Sequence, residues 1–237
     1  MSGHSKWETT KRQKAATDAK RGAIFTKLGN MIAIAARSGS DPNMNPSLAM
    51  AIEKAKHANM PAANIQRAID RVADKNAQAL EEIVYEAYGP GGIGIIISTA
   101  TDNRNRTFPE VRTALTKNGG TIADQGSVAF QFERKGVIHI NATGDDNLLL
   151  ALESGAEDAV EEDGEIIVYT DMKDLHKVRQ SLIDNKLEVS DASLDYIGKN
   201  LVTIDDPVTA EKALKLLNAL DDLDDVTNVY TNAHIVD

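Results

Sequence analysis

The stretch Glu81–Thr107, EEIVYEAYGPGGIGIIISTATDNRNRT, decides how the fold is read. Two β-rich runs flank the proline and glycine cluster Gly89–Gly92, so the segment predicts strand, tight reversal, strand. Gly89, Gly91 and Gly94 literally match G-x-G-x-x-G. A dinucleotide-binding turn, however, leads from a strand into a helix, and this one leads into a second strand. The dinucleotide reading is therefore rejected. Further on, Thr107, Pro109 and Glu110 have capping-box spacing with proline in the first turn. They predict a helix from there to about Asn118, followed by a strand at Ser127–Phe132.

Upstream the texture is helical. Thr9–Arg21 is rich in helix formers, Gly22 interrupts it, and Ile24, Phe25, Leu28, Met31, Ile32 and Ala35 then recur at helical spacing. Asn45-Pro46 supplies an N-cap and a proline at the first helical position, ahead of the apolar stripe Leu48, Ile52, Ala55 and Ala58. Asn59–Pro61 breaks that stripe, and Ile65, Ala68, Ile69 and Val72 mark a fourth helix. The last two helices loosely match helix-turn-helix spacing, but any compact helical bundle also has short connections, so the bundle reading comes first.

Downstream, residues 135–189 read strand, helix, strand pair around Asp163-Gly164, helix, strand, which is the βαββαβ order of a ferredoxin-like unit. A strand at Leu201–Ile204, a helix capped by Asp206 with Pro207 first, and a strand at Val226–Tyr230 complete the chain. The expected fold is α+β and multidomain, a helical bundle followed by two α/β domains. Residues 1–76 form the basic helical domain, and residues 77–133 plus 198–237 form a discontinuous α/β domain. Residues 134–197 form a ferredoxin-like domain inserted into it, the competing layout being two domains in series.

Of the 237 residues, 42% are hydrophobic, only 4% are aromatic and none is cysteine, so the cores are aliphatic. Disulfides, thiolate zinc sites and cysteine nucleophiles are excluded. The longest apolar run, Ile93–Ala100, is too short to span a bilayer, and the charged N-terminus does not read as a signal peptide. A reducing cytoplasm is the expected location, with no membrane partner. P-loop, H-E-x-x-H and G-x-S-x-G signatures are absent. The five histidines, His4, His57, His139, His176 and His234, lie far apart. No cofactor, no metal and no catalytic residue is expected; the acidic stretches at Glu157–Glu165 and Asp221–Asp225 lack calcium-loop spacing and read as solvated turns or domain-facing charge.

Charge is the strongest functional signal. Residues 1–75 hold 13 basic and 6 acidic residues, whereas the remainder holds 13 basic and 30 acidic, for a formal net charge of −10 overall. Two readings account for this asymmetry: a basic module that meets a polyanion, or a basic helix that docks on the chain's own acidic domains. On the first, Lys6, Lys11, Arg12, Lys14, Lys20, Arg21 and Lys27 contact a phosphate backbone and Trp7 stacks on a base. Arg104 and Arg106, between a strand and a helix N-terminus, fit either phosphate or nearby acids. Phe130 and Phe132 fall on one face of the expected strand, as stacking aromatics do in RNA-binding sheets and as buried sheet residues also do.

Five motifs in consistent order, GHSKW (3–7), KRQKAATDAKRGAIFTKL (11–28), YEAYGPGG (85–92), DNRNRT (102–107) and GSVAFQFERKGVI (126–138), resemble the YebC/PmpR family. That family includes mitochondrial translational activators of cytochrome c oxidase. The resemblance implies three domains and a cytoplasmic, non-enzymatic regulator of gene expression. Members are described both as DNA-binding transcriptional regulators and as ribosome-associated factors that assist translation through proline-rich stretches. The implied partner is thus nucleic acid, either duplex DNA or ribosomal RNA, with the ribosome itself as a further partner on the second description. Carried over by position, the segment Lys6–Lys27 contacts nucleic acid, Glu8 dilutes the charge beside Trp7, and the loop bearing Arg104 and Arg106 lies on the α/β body.

If about six of these cations neutralise phosphates, log affinity for duplex DNA falls against log salt concentration with a slope of about −5. A salt titration by fluorescence anisotropy measures it, and a flat response contradicts the electrostatic reading.

Overall fold

The computed structural model describes residues 21–72 and 79–236. Helix α1 (Arg21–Ala36) holds Gly22 as its second residue. The first expected helix, Thr9–Arg21, lies outside the described residues apart from its last position. Leu28, Ile32 and Ala36, spaced by one turn each, bury against Leu48 and Ala55 of α2 (Pro46–His57) and Ile65 of α3 (Ala62–Asp70). Asn45 joins two of these helices. Its Oδ1 accepts from the Leu48 N–H at 3.1 Å, and its Nδ2 donates to the carbonyls of Ala35 and Gly39, both at 2.8 Å. One buried side chain thereby caps α2 and satisfies the frayed end of α1.

Strands β1 (Glu81–Tyr88) and β2 (Gly94–Thr101) pair antiparallel over their whole length, from Glu81 opposite Thr101 to Tyr88 opposite Gly94. The reversal between them carries Gly91 and Gly92 at φ 78° and 77°, a region that glycine enters without steric cost. Helix α4 (Arg104–Lys117) follows, then β3 (Thr121–Ala123), which pairs antiparallel with residues 86–88 of β1. The sheet is completed on its other side by β9 (Val226–Thr231), giving the order β3-β1-β2-β9. Helix α7 (Pro207–Asp221), capped by Asp206, packs Ala213, Leu216, Leu217 and Leu220 against Ile95, Ile97 and Val229 of the sheet and Val111 and Leu115 of α4. Strands β8 (Val202–Ile204) and β10 (Ala233–Ile235) form a separate parallel pair.

All eight residues of β2 are buried. A strand buried on both faces reads as a continuous apolar run, and Ile95, Ile96 and Ile97 are that run. One face meets α4 and α7; α1 lies against β2 and β9.

Residues 133–197 form a compact unit of their own, the other described residues forming a second. Its strands are β4 (Phe132–Ile140), β5 (Asp158–Glu162), β6 (Glu165–Thr170) and β7 (Val189–Gly198), with α5 (Asp145–Glu153) and α6 (Leu175–Asp184) between them. The order β5-β6-β4-β7, with β6 antiparallel to both neighbours, is the ferredoxin-like arrangement.

The strand expected at Ser127–Phe132 is not formed. Residues 129–131 make a 3-10 turn, and β4 begins only at Phe132. The cause is a buried carboxylate. Glu86 of β1 accepts from the backbone N–H groups of Gly126, Val128 and Ala129 at 2.5, 2.6 and 2.7 Å, which curls the segment around one side chain. Burial pushes the Glu86 carboxyl up, and the three N–H donors more than reverse this, holding it below its ordinary value. A depressed folded value stabilises the fold above the unfolded carboxylate's pKa of about 4.3 and is lost as pH falls through the folded value. Glu86→Gln should destabilise the protein at neutral pH by roughly 1–3 kcal/mol, a difference that shrinks below about pH 4; urea unfolding across pH measures it.

Candidate nucleic-acid interface

Lys6, Trp7, Lys11, Arg12, Lys14 and Lys20 lie outside the described residues, and Arg21 is the first residue of α1. Lys27 is the one member of the N-terminal set whose side chain is described, and only 14% of that side chain is exposed. Its ammonium donates to the Asp221 carbonyl and lies 3.7 Å from the Asp221 carboxylate, at the C-terminus of α7. A cation there meets the negative end of the helix dipole and an orphan carbonyl together. Two further basic residues of the helical segment also reach inward. Arg37 donates to the Leu80 carbonyl at 2.8 Å, and Arg71 lies 3.3 Å from the Asp102 carboxylate. Internal docking on the acidic body thus accounts for Lys27, Arg37 and Arg71.

Arg104 and Arg106 come together on the first turn of α4, which starts four residues earlier than the capping-box spacing suggests. Asn103 is the cap. Its Oδ1 accepts from the N–H groups of Asn105 and Arg106 at 3.1 and 3.2 Å, so those donors are already taken. Thr107 is consequently free for another partner, the buried Asp225. The Thr107 hydroxyl donates to Asp225 Oδ2 at 2.6 Å, the Thr101 hydroxyl at 3.1 Å, and Arg106 Nη2 reaches both oxygens at 2.9 and 2.8 Å. Burial raises the Asp225 carboxyl; the bonds from Thr107, Arg106 and Thr101 outweigh it and leave it below the ordinary carboxylate value. The end of β2, the start of α4 and the turn before β9 thus meet on one carboxylate.

Arg104 differs. Its Nε lies 2.6 Å from Glu81, but 68% of its side chain and 52% of its partner's are exposed, so solvent screens the pair. The aromatic pair inferred from sequence is broken up: Phe130 is 66% exposed while Phe132 is buried, because the 3-10 turn between them removes the alternation of a strand. Sequence reasoning missed Phe108. It is partly exposed on α4, with its ring centroid 5.8 Å from that of Tyr85. Its signal was the spacing Arg104, Phe108, Arg112, one residue per helical turn.

Both acidic stretches serve partly as internal partners. Asp221 and Asp225 hold Lys27 and Arg106, and Glu157 holds Lys135 at 2.8 Å. Among the described residues no group of three or more His, Asp or Glu side chains is arranged to hold a metal ion, and no helix is long and apolar enough to cross a membrane.

These elements define a multidomain α+β protein in which a helical segment rests on an α/β body and a ferredoxin-like unit is formed by the middle of the chain. Residues 5–75 match the family model described as the TACO1/YebC protein N-terminal domain, and residues 80–233 match the TACO1/YebC second and third domain. The chain belongs to the TACO1/YebC family. It is 46% identical to a probable transcriptional regulatory protein of Halothermothrix orenii, over 100% of this chain and 96% of that one. A protein of the same description from Herpetosiphon aurantiacus is 47% identical with the same coverage. The crystal structure of a conserved hypothetical protein from Aquifex aeolicus superposes with a TM-score of 0.88 at 42% identity, covering 93% of each chain.

The two arginines should separate on mutation. Arg106→Gln leaves the buried Asp225 short of its cation and should cost about 1–2 kcal/mol, less than a fully buried pair because the arginine is half exposed. Arg104→Gln should stay within about 0.5 kcal/mol; thermal unfolding of the two variants checks both values.

Proposed function

We propose that the protein is a non-enzymatic regulator of gene expression that binds duplex DNA through the basic segment at its N-terminus. One observation carries the reading: 13 basic against 6 acidic residues in 1–75, in a chain whose remainder holds 13 against 30. Such a split directs one end of the molecule to a polyanion while the body stays soluble and repels non-productive contacts. Because Lys27 and Arg106 are engaged by carboxylates, phosphate contact falls to Lys6, Lys11, Arg12, Lys14, Lys20 and Arg21, with Trp7 available for stacking. The relatives' shared description as probable transcriptional regulatory proteins supports DNA as the ligand. The cytoplasm is the corresponding location.

Ultraviolet crosslinking in growing cells, with sequencing of the attached DNA and RNA, tests the ligand. Discrete DNA fragments are expected. Ribosomal RNA concentrated at one site would replace transcription with a role on the ribosome, and no enrichment of either would overturn the nucleic-acid reading. Removal of residues 1–20 should abolish retention of duplex DNA while the thermal unfolding of the rest of the chain stays nearly unchanged.

A further inference from the structure

Helix α4 stands out from the acidic body around it. Its 14 residues carry four cations, Arg104, Arg106, Arg112 and Lys117, against the single acid Glu110, within a remainder where acids outnumber bases 30 to 13. Arg106 is committed to Asp225. Arg104, Phe108 and Arg112 recur at one residue per turn and are all exposed, so they form a stripe about 12 Å long along the helix, with the aromatic residue one turn from each arginine. The buried face of the same helix is supplied by Thr107, Val111 and Leu115, so Phe108 is not spent on the core. Its ring is tilted 45° against Tyr85, and 39% of the residue remains in solvent. Arg112 has no carboxylate in ion-pairing range among the described residues, and the exposed Arg104–Glu81 pair is exchanged for a phosphate at little cost.

We propose that this stripe is a second nucleic-acid contact, a stacking platform on which one unpaired base lies against Phe108 while Arg104 and Arg112 hold the phosphates on either side. A cation, an aromatic face and a cation in line is the composition that binds single strands without reading sequence, because every base has a π-face. Duplex DNA keeps its bases stacked inside and has none to offer to Phe108. The platform therefore adds single-strand affinity to the duplex binding assigned to the N-terminal segment. It rests on the reading of the chain as a nucleic-acid binder.

The test uses the full chain with two fluorescein-labelled probes, an oligoadenylate RNA and a duplex DNA, followed by anisotropy. Phe108→Leu retains apolar volume but removes the π-face. It should weaken binding of the oligoadenylate by about 5- to 150-fold and leave duplex affinity unchanged. Phe108→Trp should restore oligoadenylate binding, which a merely structural role would not do. Arg112→Gln should reduce the single-strand salt slope by about 0.7 to 1. Equal oligoadenylate binding by the wild type and Phe108→Leu, or no oligoadenylate binding by a wild type that binds the duplex, overturns the platform alone. Failure of the wild type on both probes overturns the platform and the proposed function together.

Discussion

The burial of β2 on both faces is the constraint from which the larger part of the molecule follows. A strand with eight buried residues needs hydrogen-bonding neighbours on both edges and apolar cover on both sides. The neighbours are β1 and β9, drawn from positions more than a hundred residues apart, and the cover is α4 with α7 on one face and α1 on the other. Docking of the helical segment is therefore part of the core, and its polar ties through Lys27, Arg37 and Arg71 orient an association that apolar burial drives.

Two buried carboxylates finish what β2 begins. Glu86 gathers three backbone N–H groups and shapes the turn leading into β4, while Asp225 gathers two hydroxyls and a guanidinium where β2 ends and α4 starts. In both, desolvation alone would favour the neutral acid, and the donors reverse the balance. Such groups tolerate no half-measures, since each unmatched donor or acceptor beneath the surface costs more than a made bond contributes. Asp225 also decides which cations remain available, for it engages Arg106 and leaves Arg104 and Arg112 facing solvent on the same helix.

Much of the α+β architecture was legible because its signals are local. Asn45-Pro46 and Asp206-Pro207 mark the starts of α2 and α7, glycine at positive φ marks the β1–β2 reversal, and the βαββαβ order appears in the hydrophobic pattern. Local signals also misled. Thr107, Pro109 and Glu110 have the spacing of a cap, yet Asn103 caps α4, and the Thr107 hydroxyl that this leaves free donates to Asp225, 118 residues away in the chain. Strands β3 and β10, three residues each, are too short to display alternation. The site was less legible than the fold: charge counts locate a basic end but do not say which cations a carboxylate will claim.

Sequence by itself determined most of the longer elements, the fold class and the division of charge between a basic front and an acidic remainder, because propensity, periodicity and formal charge belong to residues and their near neighbours. Tertiary structure alone decided that Lys27 and Arg106 are bound internally, that Phe130 and Phe132 part company, and that Arg104, Phe108 and Arg112 share an open face. Each of these depends on which distant groups meet across the fold, and pairing of that kind has no period in the chain from which it could be read.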